Sequence, residues 1–259
     1  MLQLNEQNYF SHEANREYMS VSQYKAFKKC EAAALAEING EYIRQKTDAL
    51  LIGSFVDAWF AGTEATFSLE HPELFNSRTG ELKAPYQKAY NVIQRLKKDP
   101  VFMHYATGGK EQVIMTGEIS GVPFKIAIDN LHPDKIVDRK IMKDFEDIYV
   151  PEQGRLPWFE AWGYDTQGAA YREVYRQNTG KILPFILAAG TKEEEPDMTL
   201  IELDTELLDF ELSELEKNAP KYDAIKKGII PAERCEKCAY CRRTRVLTAP
   251  INSKELSDE

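Results

Sequence analysis

Hydrophobic positions change their period along the chain, and the changes divide it into helical and extended segments. Ser20 or Ser22 can cap a helix over 20–39 that carries Tyr24, Phe27 and Leu35 and ends near Asn39-Gly40, where the left-handed conformation is easily reached. A second helix is expected over about 48–61, apolar through Leu51, Phe55, Trp59 and Phe60, with Asp57 as the one acid embedded in it. Residues 62–83, with Pro72, Asn76 and Gly80, read as a surface excursion before a helix at about 85–98.

From Glu111 the pattern alternates. The segment EQVIMTGEISGVPFKIAIDNL breaks at Ser120-Gly121, which predicts two antiparallel strands joined by a tight turn. A third apolar run, 135–142, follows His132-Pro133. A loop at 151–157 leads to a helix over 158–177, strands in KILPFILAA (181–189) and MTLIELD (198–204), a helix over 205–227 and a tail rich in cysteine. The order predicts an α/β (α+β) fold, a mixed sheet flanked by helices, with residues 1–259 forming one domain.

Composition adds limits. At 259 residues, 43% hydrophobic and 29% charged, the chain can bury a large core. No run approaches the roughly 18 apolar residues that span a bilayer, and MLQLNEQNYF has neither a basic nor an apolar leader region, so a cytoplasmic protein without a membrane partner is expected. A net charge of −9 argues against a uniformly basic coat for nucleic acid. It is compatible with a carboxylate cluster whose field a bound cation reverses.

The third strand carries the most specific chemistry. Alternation puts Phe124, Ile126 and Ile128 on one face of their strand and Lys125, Ala127 and Asp129 on the other, so Asp129 need not enter the apolar core. In the next strand Asp138 and Lys140 are two apart and share a face. Two aspartates supply oxygen ligands for magnesium or manganese, and a lysine beside the ion can orient a water or neutralise the transition state of phosphodiester hydrolysis. An acid-x-Lys triplet is a weak signal by itself, and Glu81-Leu82-Lys83 is a second one in a polar loop. Asp134, after Pro133, lies in the turn between strands, so Asp129 is the preferred first acid. The bland reading of Asp138 and Lys140 is a cross-strand ion pair on a solvated face.

This arrangement resembles the PD-(D/E)XK nuclease superfamily, in particular the RecB- and RecE-type exonucleases, over nearly the whole chain. The resemblance implies a restriction-endonuclease-like core of αβββαβ order. It matches Asp57 to the helical histidine or acid, Glu111 to the hairpin glutamate, Asp129 to the strand acid, Asp138 and Lys140 to the triplet, and Gln167 and Tyr171 to the helical Gln-x-x-x-Tyr motif. Asp57, Asp129 and Asp138 are then the ligands of Mg2+ or Mn2+. The implied activity is a metal-dependent exodeoxyribonuclease that degrades DNA from an end in phage or prophage recombination or repair. A single-strand annealing protein would be its partner, and oligomers are an expectation of the same kind. The alternative is a metal-stabilised DNA-binding or recombination scaffold whose nuclease site has degenerated.

Cys235-x-x-Cys238-x-x-Cys241 brings three thiols together at a spacing that suits zinc or an iron–sulfur cluster, and Cys30 is the only other cysteine. The segment SVSQYKAFKKC resembles the start of the iron–sulfur members of the RecB-like group, which implies a structural 4Fe-4S cluster clamping the helix 20–39 to the tail 233–245. The gap before the last cysteine is shorter here than in those relatives, which leaves zinc open; four reduced thiols are the bland reading. Candidate phosphate contacts are Arg172 and Arg176, four apart on the helix of Gln167, Lys25, Lys28 and Lys29 on the first helix, and Arg242, Arg243 and Arg245 in the tail.

Overall fold

The computed structural model describes residues 1–44, 47–247 and 249–250. Its helices and strands, in chain order, are α1 (His12–Glu17), α2 (Val21–Lys29), α3 (Glu31–Ile38), α4 (Asp48–Phe60), α5 (Glu64–Glu70), α6 (Ala84–Leu96), α7 (Pro100–Thr107), β1 (Lys110–Ile119), β2 (Val122–Leu131) and β3 (Ile136–Met142). There follow β4 (Ile148–Val150), β5 (Gly154–Leu156), α8 (Trp158–Ala161), α9 (Tyr164–Thr179), β6 (Phe185–Thr191), β7 (Met198–Glu202), α10 (Thr205–Lys226) and α11 (Ala239–Arg243).

Five strands form one mixed sheet in the order β1-β2-β3-β6-β7. Only β3 and β6 run parallel; the other pairs are antiparallel. Alternation along β6 explains how both faces are covered. Phe185, Leu187 and Ala189 join a core built with α2, α9 and α10, whereas Ile186 and Ala188 join a second core built with α4, α6 and α7.

The β2–β3 pairing places the site. These strands exchange only two residue pairs, Asn130↔Val137 and Leu131↔Ile136, and then diverge. The edge of β2 exposed by this split is taken up by Met19, whose N–H donates to the Pro123 carbonyl at 2.7 Å and whose carbonyl accepts from Lys125 N–H at 2.9 Å. The N-terminal segment thus forms one wall of the opening.

Several expectations need correction. The helix over 20–39 is two helices, because Cys30 is extended (φ −167°, ψ 109°) between α2 and α3. The helix over 158–177 breaks at Gly163, whose φ of 65° lies in the left-handed region that glycine favours. The excursion at 62–83 contains α5 and a 3-10 turn at Pro72–Leu74, and Leu74 is fully buried in the second core. The loop at 151–157 lies partly in the β4–β5 ribbon, and the strand expected from 181 starts at Phe185, after Pro184. Helices α1, α7 and α11 lack a strong period and are short, at 6, 8 and 5 residues. Lys125, on the strand face of Asp129, is 2% exposed.

Candidate active site

The split between β2 and β3 opens into a cleft of about 870 Å³. Asp57 reaches it from α4, Asp129 from the end of β2, Asp138 and Lys140 from β3, and Gln167 and Tyr171 from α9. One step beyond the last β2–β3 pair, Asp129 and Asp138 stand opposite each other. The Arg139 backbone N–H donates to Asp129 Oδ2 at 2.9 Å, and Gln112 Nε2 donates to Oδ1 at 3.4 Å.

Asp138 is 1% exposed. Its Oδ1 accepts from Gln167 Nε2 at 2.6 Å. Its Oδ2 has the Lys140 ammonium at 2.5 Å but no hydrogen-bond donor of good geometry, so a lone pair is left in a buried site. Gln167 comes within reach because α9 lies close to its neighbours. A Cβ on Gly168 would meet the Phe185 ring at 2.8 Å and Leu208 at 2.9 Å, so a larger residue there would push the helix away.

The electrostatics follow from crowding charge out of water. Burial and then the Asp129 charge push Asp57 up to about 7. Burial raises Asp138 to about 6, with Asp129 adding to the shift and Lys140 opposing it. For Lys140 burial acts downward, but Asp138 and then Asp129 outweigh it and hold the ammonium above its usual range. Two raised acids and a third nearby form the environment that a hard cation relieves. The carboxylates are looser than a preformed cage: among the described residues, only the four cysteines bring their ligand atoms all within 4.8 Å of one another.

The remaining charged lining holds the bases Lys25, Lys125, Arg139 and Arg44 and one further acid, Glu37, which pairs with Arg44 at 2.9 Å. Lys25 enters from α2, its ammonium donating to the Trp162 carbonyl at 3.0 Å and lying 5.2 Å from the Tyr164 ring centroid. Lys140 lies 4.9 Å from the same ring. Burial and then the Lys140 charge lower Lys25 to about 8. The Lys125 ammonium is held by the Tyr9 carbonyl and by Asn15 Oδ1, the latter at 2.8 Å.

Other expected residues are placed elsewhere. Glu111 does not line the cleft. It pairs with Arg139 at 2.8 Å and accepts from Asn130, while Gln112, with φ of 49°, turns into the cleft instead. The hairpin register pairs Glu111 with Asn130, a neighbour of Asp129 and therefore on the other face of β2. The Tyr171 hydroxyl is committed to the Ala127 carbonyl at 3.0 Å. Arg172 pairs with Asp209 and Arg176 with Glu173, and neither lines the cleft. Lys28 and Lys29 are exposed and lie outside it; Asp134 is exposed in the turn, paired with Lys135. Tyr9, Gln112 and Arg139, which the sequence pattern did not single out, line the cleft.

A second cluster lies at the other end of α2. Cys30 Sγ stands 3.6 Å from Cys241 Sγ and 3.8 Å from Cys238 Sγ, and Cys235 Sγ stands 4.0 Å from Cys241 Sγ. The Cys238 N–H donates to Cys235 Sγ and the Cys241 N–H to Cys238 Sγ, both at 3.4 Å. Such a thiol set can hold a soft metal.

The mixed sheet, its flanking helices and the acids at the β2–β3 split define a PDDEXK-like nuclease fold. The chain belongs to the family described as a PDDEXK-like domain of unknown function (DUF3799), whose model matches residues 20–244. It is similar to a protein of Eubacterium rectale, solved by crystallography and described as a candidate exonuclease, with 42% identity, a TM-score of 0.94 and 99% of each chain covered. The comparison with curated proteins gave no match. Among the described residues, no helix is long and apolar enough to cross a membrane.

Proposed function

We propose that the chain is a divalent-metal-dependent exodeoxyribonuclease that hydrolyses DNA phosphodiester bonds from an end. The observation that carries this reading is the convergence of Asp57, Asp129, Asp138 and Lys140 in one cleft that Lys25 and Lys125 also line. The donor set fits Mg2+ or Mn2+, since it offers carboxylate oxygens, one with an uncommitted buried lone pair. Asp129 and Asp138 would hold the ion, with Asp57 beside them. When bound, it stabilises charge on the phosphoryl oxygens and lowers the pKa of a water.

The chain's own groups do the rest. Gln167 fixes the Asp138 carboxylate through Oδ1, and Oδ2 faces the Lys140 ammonium with a second lone pair left over for an ion. Asp138 anchors the Lys140 ammonium, whose remaining protons can orient the attacking water or a phosphate oxygen while one P–O ester bond breaks. Lys25 and Lys125 supply positive field to a backbone entering the cleft. Action from an end, and a role in phage or prophage recombination with a single-strand annealing partner, rest on the family resemblance; the name of the Eubacterium rectale protein supports the exonuclease part.

The test is cleavage of end-labelled linear duplex and of covalently closed circular DNA with Mg2+ or Mn2+. Nucleotide release from the linear substrate alone, lost in Lys140→Ala and Asp129→Ala, is expected. Cutting of the closed circle would sink the exonuclease mode. No cleavage with either metal would return the chain to a degenerate DNA-binding scaffold.

A further inference from the structure

The four cysteines are too close together for an iron–sulfur cubane, and we propose that they hold one tetrahedral zinc ion. In a ZnS4 site each metal–sulfur bond is about 2.3 Å, so the tetrahedral angle sets neighbouring sulfurs roughly 3.8 Å apart. Three of the separations here are 3.6, 3.8 and 4.0 Å, and all four sulfurs lie within 4.8 Å of one another. A cubane gives every thiolate its own iron. Its sulfurs are therefore separated by an iron–iron edge and by the outward splay of two further bonds. A set confined to 4.8 Å has no room for that framework.

The surroundings suit a single ion. Two thiolates accept backbone N–H bonds from the tail at 3.4 Å, the kind of outer contact that orients sulfur ligands. Arg234 Nη2 donates to the Cys241 carbonyl at 2.7 Å, and Arg242 and Arg243 follow on α11, so cationic groups stand near a site that carries net negative charge when four thiolates bind one divalent ion. Among the described residues, little apolar packing supports this end. The cluster of buried residues at this end consists of Cys30, Ala33 and Cys241. The ion would close a loop from Cys30 to the tail and secure the junction of α2 and α3, five residues from Lys25 in the cleft.

The test uses the full chain, purified anaerobically from cells supplied with iron and cysteine, with one portion then treated with ferrous iron and sulfide. Elemental analysis should give about one zinc per chain and no acid-labile sulfide in both portions, and zinc-edge X-ray absorption should give four sulfurs at about 2.3 Å. A brown protein with four irons and four sulfides per chain overturns the assignment, and so does a folded native chain without metal. Cys30→Ser should retain less zinc than the wild type and melt at lower temperature. Because that variant can fail to fold, the wild-type metal content and edge spectrum decide. Neither reading depends on nuclease activity, so the failure of one proposal is distinguishable from the failure of the other.

Discussion

The backbone N–H of Arg139 donates to Asp129 Oδ2 at 2.9 Å, tying the strand that bears Asp138 and Lys140 to the acid at the end of its neighbour just where the two strands part. Asp129 thus has a structural bond as well as a metal-binding charge, and two substitutions separate them. Asp129→Asn keeps an acceptor for the N–H and removes the charge. Asp129→Ala removes both. Each should lower metal-dependent cleavage by about a hundredfold or more, as loss of a charge-stabilising group does. Only the alanine variant should also lose about 1 kcal/mol in urea unfolding, the net worth of one hydrogen bond. An active Asp129→Asn enzyme would remove Asp129 from the metal site.

Glu111 and Arg139 give a different result. The Arg139 side chain is 2% exposed, with its guanidinium 5.0 Å from the Phe60 ring centroid, and its carboxylate partner is 32% exposed. Removing one partner of a fully buried pair costs about 3–5 kcal/mol. Since Glu111 keeps some water, Glu111→Ala should cost less, about 2–3 kcal/mol by chemical unfolding. Adding Arg139→Met should recover part of the loss. If Glu111→Ala leaves stability unchanged and abolishes metal binding, the glutamate acts as a ligand and its pairing with Arg139 is incidental.

These residues show where the sequence was readable. The helix of Asp57, the β1–β2 hairpin and the Asp138–Lys140 strand all follow from period and turn chemistry, because each depends on neighbours close in the chain. The mixed sheet follows from their order. The partners of Arg139 do not, since Glu111 lies on β1 and Arg139 on β3, two strands that are not adjacent in the sheet. Lys25 was recognisable as basic, but its place in the cleft rests on a contact distant in sequence, its bond to the Trp162 carbonyl. Gly163 did carry a signal for the α8–α9 break, which the helical period around it masked.

The raised acids give a pH prediction. Asp57 and Asp138, at about 7 and about 6 in the folded chain, lie above the ordinary aspartate value. A folded pKa above the unfolded one favours folding while the group is protonated, and that contribution is lost as pH rises through the folded value. Metal-free protein should therefore melt at progressively lower temperature from about pH 4 to about pH 7, the interval between the unfolded aspartate value and these two folded values. Divalent cation affinity should rise over the same interval as the ligands lose their protons. Asp57→Asn should flatten the upper part of the melting profile. A metal-free melting temperature that rises through this range would contradict the arrangement of charges in the cleft.

Lys25 separates the basic residues that meet DNA from those that are ordinary surface charges. It shares the Tyr164 ring with Lys140 inside the cleft, whereas Lys28, on the same helix, is exposed outside it, and Arg176 is held by Glu173 at 2.7 Å. A lysine that contacts a phosphate contributes about one unit to the slope of log affinity against log salt, and its removal weakens binding to all sequences alike. Lys25→Ala, measured in Ca2+ so that binding is followed without turnover, should lower that slope by about one. Lys28→Ala and Arg176→Ala should leave it unchanged, because neither side chain is placed to reach a backbone entering between β2 and β3. If Lys28→Ala and Arg176→Ala lower the slope and Lys25→Ala does not, DNA crosses the outer faces of α2 and α9, and the cleft receives at most the terminal nucleotide.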